Sequence, residues 1–491
     1  MKNYKLFFFA VAILSLNIAC NSKIEKQPDA LRFDVSKYEI QTAEIDGETI
    51  EVRAYENIVY IKKPVDTVYQ IMNIYIPRAY FEGKTINGYS ADTAPIFFPN
   101  QVGGYMPGKP GTFIMKSSKD PSPKVNTIAQ ALARGYVVAS PGARGRTSPN
   151  GKAPSVIIDL KAAVRYLKFN DQIMPGNAAK IISNGTSAGG AVSALLGATG
   201  DASEYDTYLA QIGAATASDA IFAVSAYCPI TNLDHADAAY EWQFNGVNDY
   251  KKIDISMLDY KVQRKEVAGT LDENQQQISS QLKALFPAYI NHLQLKDDNG
   301  NLLTLDENGN GNFKDLVISY IVASANTAMH SGTDMQPYSF LKIENNTVID
   351  FDFDAYVRYM ERLKLPPAFD ALDLSSGENQ LFGNAEVDAM HFTDYSTKHN
   401  IVEGGRRTDN AIVRMMNPME YIGKDNAKPA GHWRIRHGSK DRDTGLAIAV
   451  VLAAQLKNNG YQVDLAFPWD RPHSGDYDLP QLFDWIDRIA K

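Results

Sequence analysis

The chain has little cysteine, no excess of positive charge and no apolar run long enough to span a bilayer. Only two of its 491 residues are cysteine, Cys20 and Cys228, too few for a disulfide scaffold or a thiolate zinc site. The formal net charge is −8, and no basic stripe offsets it, which excludes a nucleic-acid partner. No zinc, flavin, nucleotide or haem motif is present, and no internal repeat stands out. The apolar run Leu6–Leu16 is too short to span a bilayer. What remains is a soluble globular composition long enough for one large or two ordinary domains.

The first residues read as a targeting segment. Met1-Lys2-Asn3-Tyr4-Lys5 gives a basic start, and the apolar run ends at Ile18-Ala19-Cys20-Asn21-Ser22. This resembles a bacterial lipoprotein signal with Cys20 as the lipidated residue. One feature departs from the pattern: Asn17 stands where leucine is usual, with Leu16 one position further back. The expectation is a signal over residues 1–19, a polar tether over 20–32 and a lipid anchor in the cell envelope, with simple secretion as the alternative. An acylated Cys20 leaves Cys228 without a disulfide partner. The stretch Phe222–Pro229 reads as an apolar strand in which Cys228 is a small buried thiol.

Beyond the tether, short apolar strands alternate with helices. The strands are Tyr69–Pro77, Ala94–Phe98, Gly135–Ser140, Lys180–Ser183 and Phe222–Pro229; the helices include Thr127–Arg134 and Ser155–Phe169. That rhythm predicts an α/β fold, a mostly parallel sheet with helices on both faces. It breaks after Pro229, where residues 230–400 read as mainly helical or irregular. It resumes with the strand Trp433–His437, the helix Thr444–Asn458, the strand Gln462–Phe467 and the helix Leu479–Ala490. The expected organisation is a sheet domain over 33–229 and 401–491, interrupted by a cap over 230–400.

The most informative stretch is Ser183-Asn184-Gly185-Thr186-Ser187-Ala188-Gly189-Gly190. It is a G-x-S-x-G turn between a strand and a helix, the context of a nucleophile elbow. The bare pattern arises by chance in about one chain of this length in six, so the flanking elements carry the weight. A serine nucleophile needs a base, and the base an orienting carboxylate, in the chain order Ser, Asp, His on this architecture. Asp441 lies in the loop after the Trp433–His437 strand. Of eight histidines, His473 alone follows the last strand. His437 precedes the acidic loop and reads as its support. The Ala188 N–H is one oxyanion donor. Gly103, in Gln101-Val102-Gly103-Gly104-Tyr105, is the chosen second, with Gly104 close behind. Acyl transfer by this set requires no metal or cofactor.

These residues resemble the second subtype of bacterial tannases, tannin acylhydrolases with an α/β-hydrolase fold and a large cap. The resembling stretches are Gly185–Gly190, Arg436-His437-Gly438-Ser439-Lys440-Asp441-Arg442-Asp443 and His473-Ser474-Gly475-Asp476-Tyr477-Asp478. The resemblance implies that Asp441 is catalytic and that Asp443 meets the substrate. It also implies that Lys364 and Glu378, from the cap, grip the phenolic hydroxyls of a gallate, and that Ile230 walls the ring. One donor and two carboxylates suit three adjacent hydroxyls. The chain departs from the pattern at Gly377, which stands before Glu378 in place of a proline.

The implied partner is a small phenolic ester. The rivals are a carboxylesterase on feruloyl or chlorogenic esters, a peptidase on the same fold, and a non-catalytic polyphenol-binding surface protein. Asp306-Glu307-Asn308-Gly309-Asn310-Gly311-Asn312 resembles the start of a calcium loop, but Val317 occupies the twelfth position. It reads as an Asn/Gly turn. Nothing in the sequence fixes an oligomeric state.

Overall fold

The computed structural model describes residues 30–45, 47–114, 126–258 and 261–491, the side chains of 253–258 and 261–264 excepted. The targeting segment and Cys20 therefore lie outside the described residues. The strands, in chain order, are β1 (Glu39–Ile45), β2 (Glu48–Val59), β3 (Ile71–Pro77), β4 (Pro95–Pro99), β5 (Val137–Pro141), β6 (Asn177–Thr186) and β7 (Ala223–Tyr227). They continue as β8 (Asp249–Leu258), β9 (Lys261–Thr270), β10 (Leu341–Glu344), β11 (Thr347–Phe351), β12 (His432–Arg436) and β13 (Gln462–Ala466).

Nine of these form one sheet in the order β1-β2-β3-β5-β4-β6-β7-β12-β13. The first three pair antiparallel, as does β3 with β5. From β5 to β13 every pairing is parallel. The central strands β4, β5 and β7 are buried at every residue, as strands covered on both faces must be. Their continuous apolar runs are what made them readable in the sequence. The helices Ser155–Phe169 and Leu479–Ala490 form with the bounds the sequence predicts. Parallel pairing brings the loops after β4, β6, β7, β12 and β13 to one edge of the sheet.

The stretch between β7 and β12 contains the helices Leu233–Phe244, Glu273–Leu293, Asn312–His330 and Phe353–Met360. It also contains two antiparallel hairpins, β8–β9 and β10–β11, where a helical or irregular chain was expected. The β10–β11 turn has a physical cause: Asn345 and Asn346 both take positive φ, 49° and 56°, as a type I′ hairpin turn requires. The Asp306 loop is the expected turn. Asp306 Oδ1 accepts the backbone N–H groups of Asn308 and Asn310, each at 2.9 Å.

Candidate active site

Ser187 stands between β6 and the helix Ala188–Ala198 with φ 62° and ψ −125°, a conformation costing a non-glycine residue about 1–3 kcal/mol. Its N–H donates to the Tyr227 carbonyl at 2.9 Å, so the neighbouring strand end holds the turn in place. The surrounding glycines are required by close approach. A Cβ on Gly185 would lie 2.3 Å from the Gly189 oxygen, and one on Gly189 would lie 2.5 Å from the Val102 oxygen.

Asp441 is fully buried and accepts from His473 Nδ1 at 2.7 Å, while the His473 side chain is 20% exposed. The second Asp441 oxygen accepts the Asp443 N–H at 2.9 Å. Burial favours the neutral acid, yet the adjoining imidazoles of His473 and His437, with the His473 hydrogen bond, hold the Asp441 carboxyl below the usual range. Burial likewise opposes a charged His473. The Asp441 charge and hydrogen bond, helped by Asp443, outweigh it and raise the imidazole above its ordinary value, with Lys364 opposing. The pairing fixes the His473 tautomer with Nδ1–H toward Asp441 and leaves Nε2 to act as a base. Among the described residues, Ser187 Oγ makes no hydrogen bond with His473. Ser187 and His473 are held by adjoining loops that Asp476 ties together. Its carboxylate accepts from Asn184 Nδ2 at 3.0 Å and from Thr127 Oγ1 at 2.8 Å.

The region around Asp441 differs from the sequence reading at Cys228. The strand ends at Tyr227, and Cys228 follows it at φ 45°. It is fully buried, as expected, but in the dyad's own surroundings. Its Sγ donates to the Ser474 carbonyl at 3.3 Å and lies within 4.8 Å of ligand atoms of Asp441 and His473. Burial, then the Asp441 charge, pushes this thiol up, so it stays protonated and is no nucleophile. His437, expected to support the acidic loop, lies beside Asp441 without a hydrogen bond from either ring nitrogen among the described residues. It is completely buried, with Nε2 3.7 Å from Asp441 Oδ2.

Gly103 lies in the loop after β4, with open space where a Cβ would be. Asn100, which sequence reasoning missed, locks that loop to the elbow. Its Nδ2 donates to Asn184 O, Gly189 O and Ser193 Oγ at 2.9–3.1 Å. No motif marks it, because its role depends on three long-range contacts. Ala188 opens the helix after Ser187, so its N–H is among the first-turn donors that have no partner within the helix.

Of the four predicted substrate contacts, Ile230 follows β7 and Asp443 follows β12, adjacent strands of the sheet, while Lys364 and Glu378 come from the stretch between them. Ile230, 6% exposed, accepts a 3.5 Å hydrogen bond from Tyr105 OH through its carbonyl. The Tyr105 phenol is pushed up by burial and by the charge of Glu378. Lys364 places Nζ 4.0 Å above the Phe369 ring, and its charge bears on His473 along with that of Asp443. The segments that carry Lys364 and Glu378 are both set by buried polar groups. The fully buried pair Arg362–Glu241 lies two residues before Lys364, whose N–H donates to Tyr240 OH at 3.0 Å. Asp237 accepts the Phe369 and Asp370 N–H groups at 2.7 and 3.0 Å. Asp370 in turn accepts from Asn379 Nδ2 at 2.7 Å, one residue past Glu378.

Three comparisons bear on this arrangement. The family model BD-FAE matches residues 109–287, and no curated protein matches the chain. Among solved structures, a tannase from Lactobacillus plantarum is 44% identical, with TM-score 0.90, covering 94% of this chain and all of its own. A tannase from Fusobacterium nucleatum is 50% identical, with TM-score 0.89, covering 94% of this chain and 99% of its own. A tannin acyl hydrolase in complex with ethyl gallate is 44% identical, with TM-score 0.88 and the same coverages as the second.

Proposed function

The chain belongs to the bacterial tannases, and from that membership we propose that it is a serine esterase hydrolysing galloyl ester and depside bonds. The observation that carries the reading is the 2.7 Å Asp441–His473 contact at strand ends beside the strained Ser187 turn. The ethyl gallate complex of a relative supports the acyl group.

In this reading Ser187 Oγ attacks the ester carbonyl while His473 Nε2 takes its proton. The developing oxyanion is met by the N–H groups of Ala188 and Gly103. Collapse expels the alcohol, which leaves with the proton returned by His473, and the acyl group remains as a galloyl ester on Ser187. A water, deprotonated by His473, then releases gallate by the same route. Asp441 keeps the imidazole in its working tautomer and balances the imidazolium. Lys364 donates to the ring hydroxyls, Glu378 and Asp443 accept from them, and Ile230 packs on the ring. A substrate without those hydroxyls leaves charged groups unpaired, at a cost of about 2–5 kcal/mol. Selection of galloyl over feruloyl esters follows.

Methyl gallate and methyl ferulate offered side by side test the substrate class. Preference for methyl gallate is expected. Turnover of ferulate alone would make the protein a different phenolic esterase, and turnover of neither would favour a binding protein. The reading extends to the N-terminus, where Cys20 anchors the protein by lipid to the cell envelope. Expressed in a bacterium, the wild type should sediment with membranes and Cys20→Ala should not; a wild type free in the soluble fraction contradicts the anchor.

A further inference from the structure

We propose that Arg146 is a positioning residue that sets galloyl specificity, by strapping the proposed oxyanion loop to the helix that carries Glu378. This rests on the galloyl esterase reading above. Arg146 lies in the loop after β5, whose preceding arginine, Arg144, is locked by several hydrogen bonds to buried Asp159. That anchor fixes the loop's root. Gly145 then presses so closely on the oxyanion loop's continuation that a Cβ there would lie 2.2 Å from Pro107 N.

From this base Arg146 reaches two ways. Its own N–H donates to Tyr105 O at 2.8 Å, and its Nε donates to Gly104 O at 2.7 Å. Its Nη1 donates to Gln380 Oε1, on the short helix Gly377–Leu381. A guanidinium holds these donors in one rigid plane, which an ammonium cannot do. Gln380 is itself held, its Nε2 donating to Asp388 Oδ2 at 2.9 Å. Lys152 ties the same partners from the other side, donating to Arg146 O at 2.7 Å and Asp388 O at 2.9 Å.

The geometry also accounts for Gly377. A Cβ on it would lie 3.0 Å from Arg146 Cζ, so glycine lets the guanidinium approach this helix turn a few tenths of an ångström closer than a side chain would. Gly103, proposed for the substrate carbonyl, adjoins one end of the strap. Glu378, proposed for a ring hydroxyl, adjoins the other. The separation of those two groups in a gallate is fixed by its ring, and Arg146 sets the matching separation in the protein.

The test compares kcat/KM for methyl gallate and p-nitrophenyl acetate in wild type, Arg146→Lys and Gly377→Ala, with Tm measured for each. Arg146→Lys keeps the charge and loses the fork; Gly377→Ala keeps the arginine and pushes a methyl into it. Arg146→Lys should lower the gallate-to-acetate ratio about tenfold, the size of a lost coupling between contacting groups, and Gly377→Ala should lower it in the same direction by less. Glu378→Ala should lower the ratio too, and adding Arg146→Lys to it should lower it little further. Equal losses on both substrates, or an unchanged ratio in folded variants, would overturn the strap while leaving the esterase reading intact. A wild type inert toward methyl gallate would overturn both.

Discussion

Ser187, Asp441 and His473 follow strands of one sheet, whereas Lys364, on a loop, and Glu378, on a short helix, stand on segments held by buried charge. In the sheet, apolar periodicity decides the position of each strand, and parallel pairing then decides which loops meet. The insertion between β7 and β12 works differently. Its loops are fixed by the Arg362–Glu241 pair and by Asp237 and Asp370, each a fully or nearly fully buried polar group with several partners. Such groups stabilise a fold little but punish any alternative arrangement, because one left unpaired in the interior is costly. The proposed division of labour follows: the sheet supplies the chemistry and the insertion supplies the choice of substrate.

The comparison can be broken at either region, and the largest effect is expected in the sheet. Asp441→Asn keeps the shape of the side chain but removes the charge that balances His473 and selects its tautomer. A fall in kcat of about 10³–10⁴ is expected, with Tm nearly unchanged. The insertion should respond in the opposite sense. Arg362→Ala leaves Glu241 charged and unpaired in the interior, which should cost about 3–5 kcal/mol in urea unfolding. Whatever remains folded should retain hydrolysis of p-nitrophenyl acetate.

A smaller effect concerns pH. His473 must be neutral to act as a base, and its pKa is raised above 6.5 because the Asp441 charge outweighs burial. The acid limb of kcat/KM is therefore expected above pH 6.5, with activity falling as pH drops through it. The stability contributed by the charged pair runs the other way with pH. It is fully present below the ordinary histidine value and lost as pH rises through the folded-state value. In Asp441→Asn burial and Lys364 are opposed by Asp443 alone, so the residual activity should titrate at lower pH than in the wild type. A limb that stays in place would detach Asp441 from His473.

How far the sequence foretold these regions follows from the same physics. Periodicity located the helices Ser155–Phe169 and Leu479–Ala490 to the residue and every central strand to within two or three. It also set Asp441 and His473 on neighbouring strand ends. The hairpin β10–β11 went unread although Asn345-Asn346 is a recognisable turn pair, because the flanking strands are short and largely exposed. Asn100 and Arg146 left no local signature, since each acts through partners about 40 to 230 residues away. Lys364 and Glu378 were found through family resemblance alone; as isolated charges they look like solvated surface. Buried polar networks are long-range by nature, and the periodicity of a single segment carries no trace of them.

The division of labour between sheet and insertion is tested most directly by one set of assays. Wild type, Ser187→Ala and Lys364→Ala are each assayed for kcat/KM on methyl gallate and on p-nitrophenyl acetate. Ser187→Ala should lose both activities by about 10³ or more. Lys364→Ala should lose about 10–100-fold on methyl gallate, the size of a charged partner left unmatched, and keep the acetate activity. Equal losses on both substrates in Lys364→Ala, or methyl gallate hydrolysis surviving in Ser187→Ala, would contradict the account.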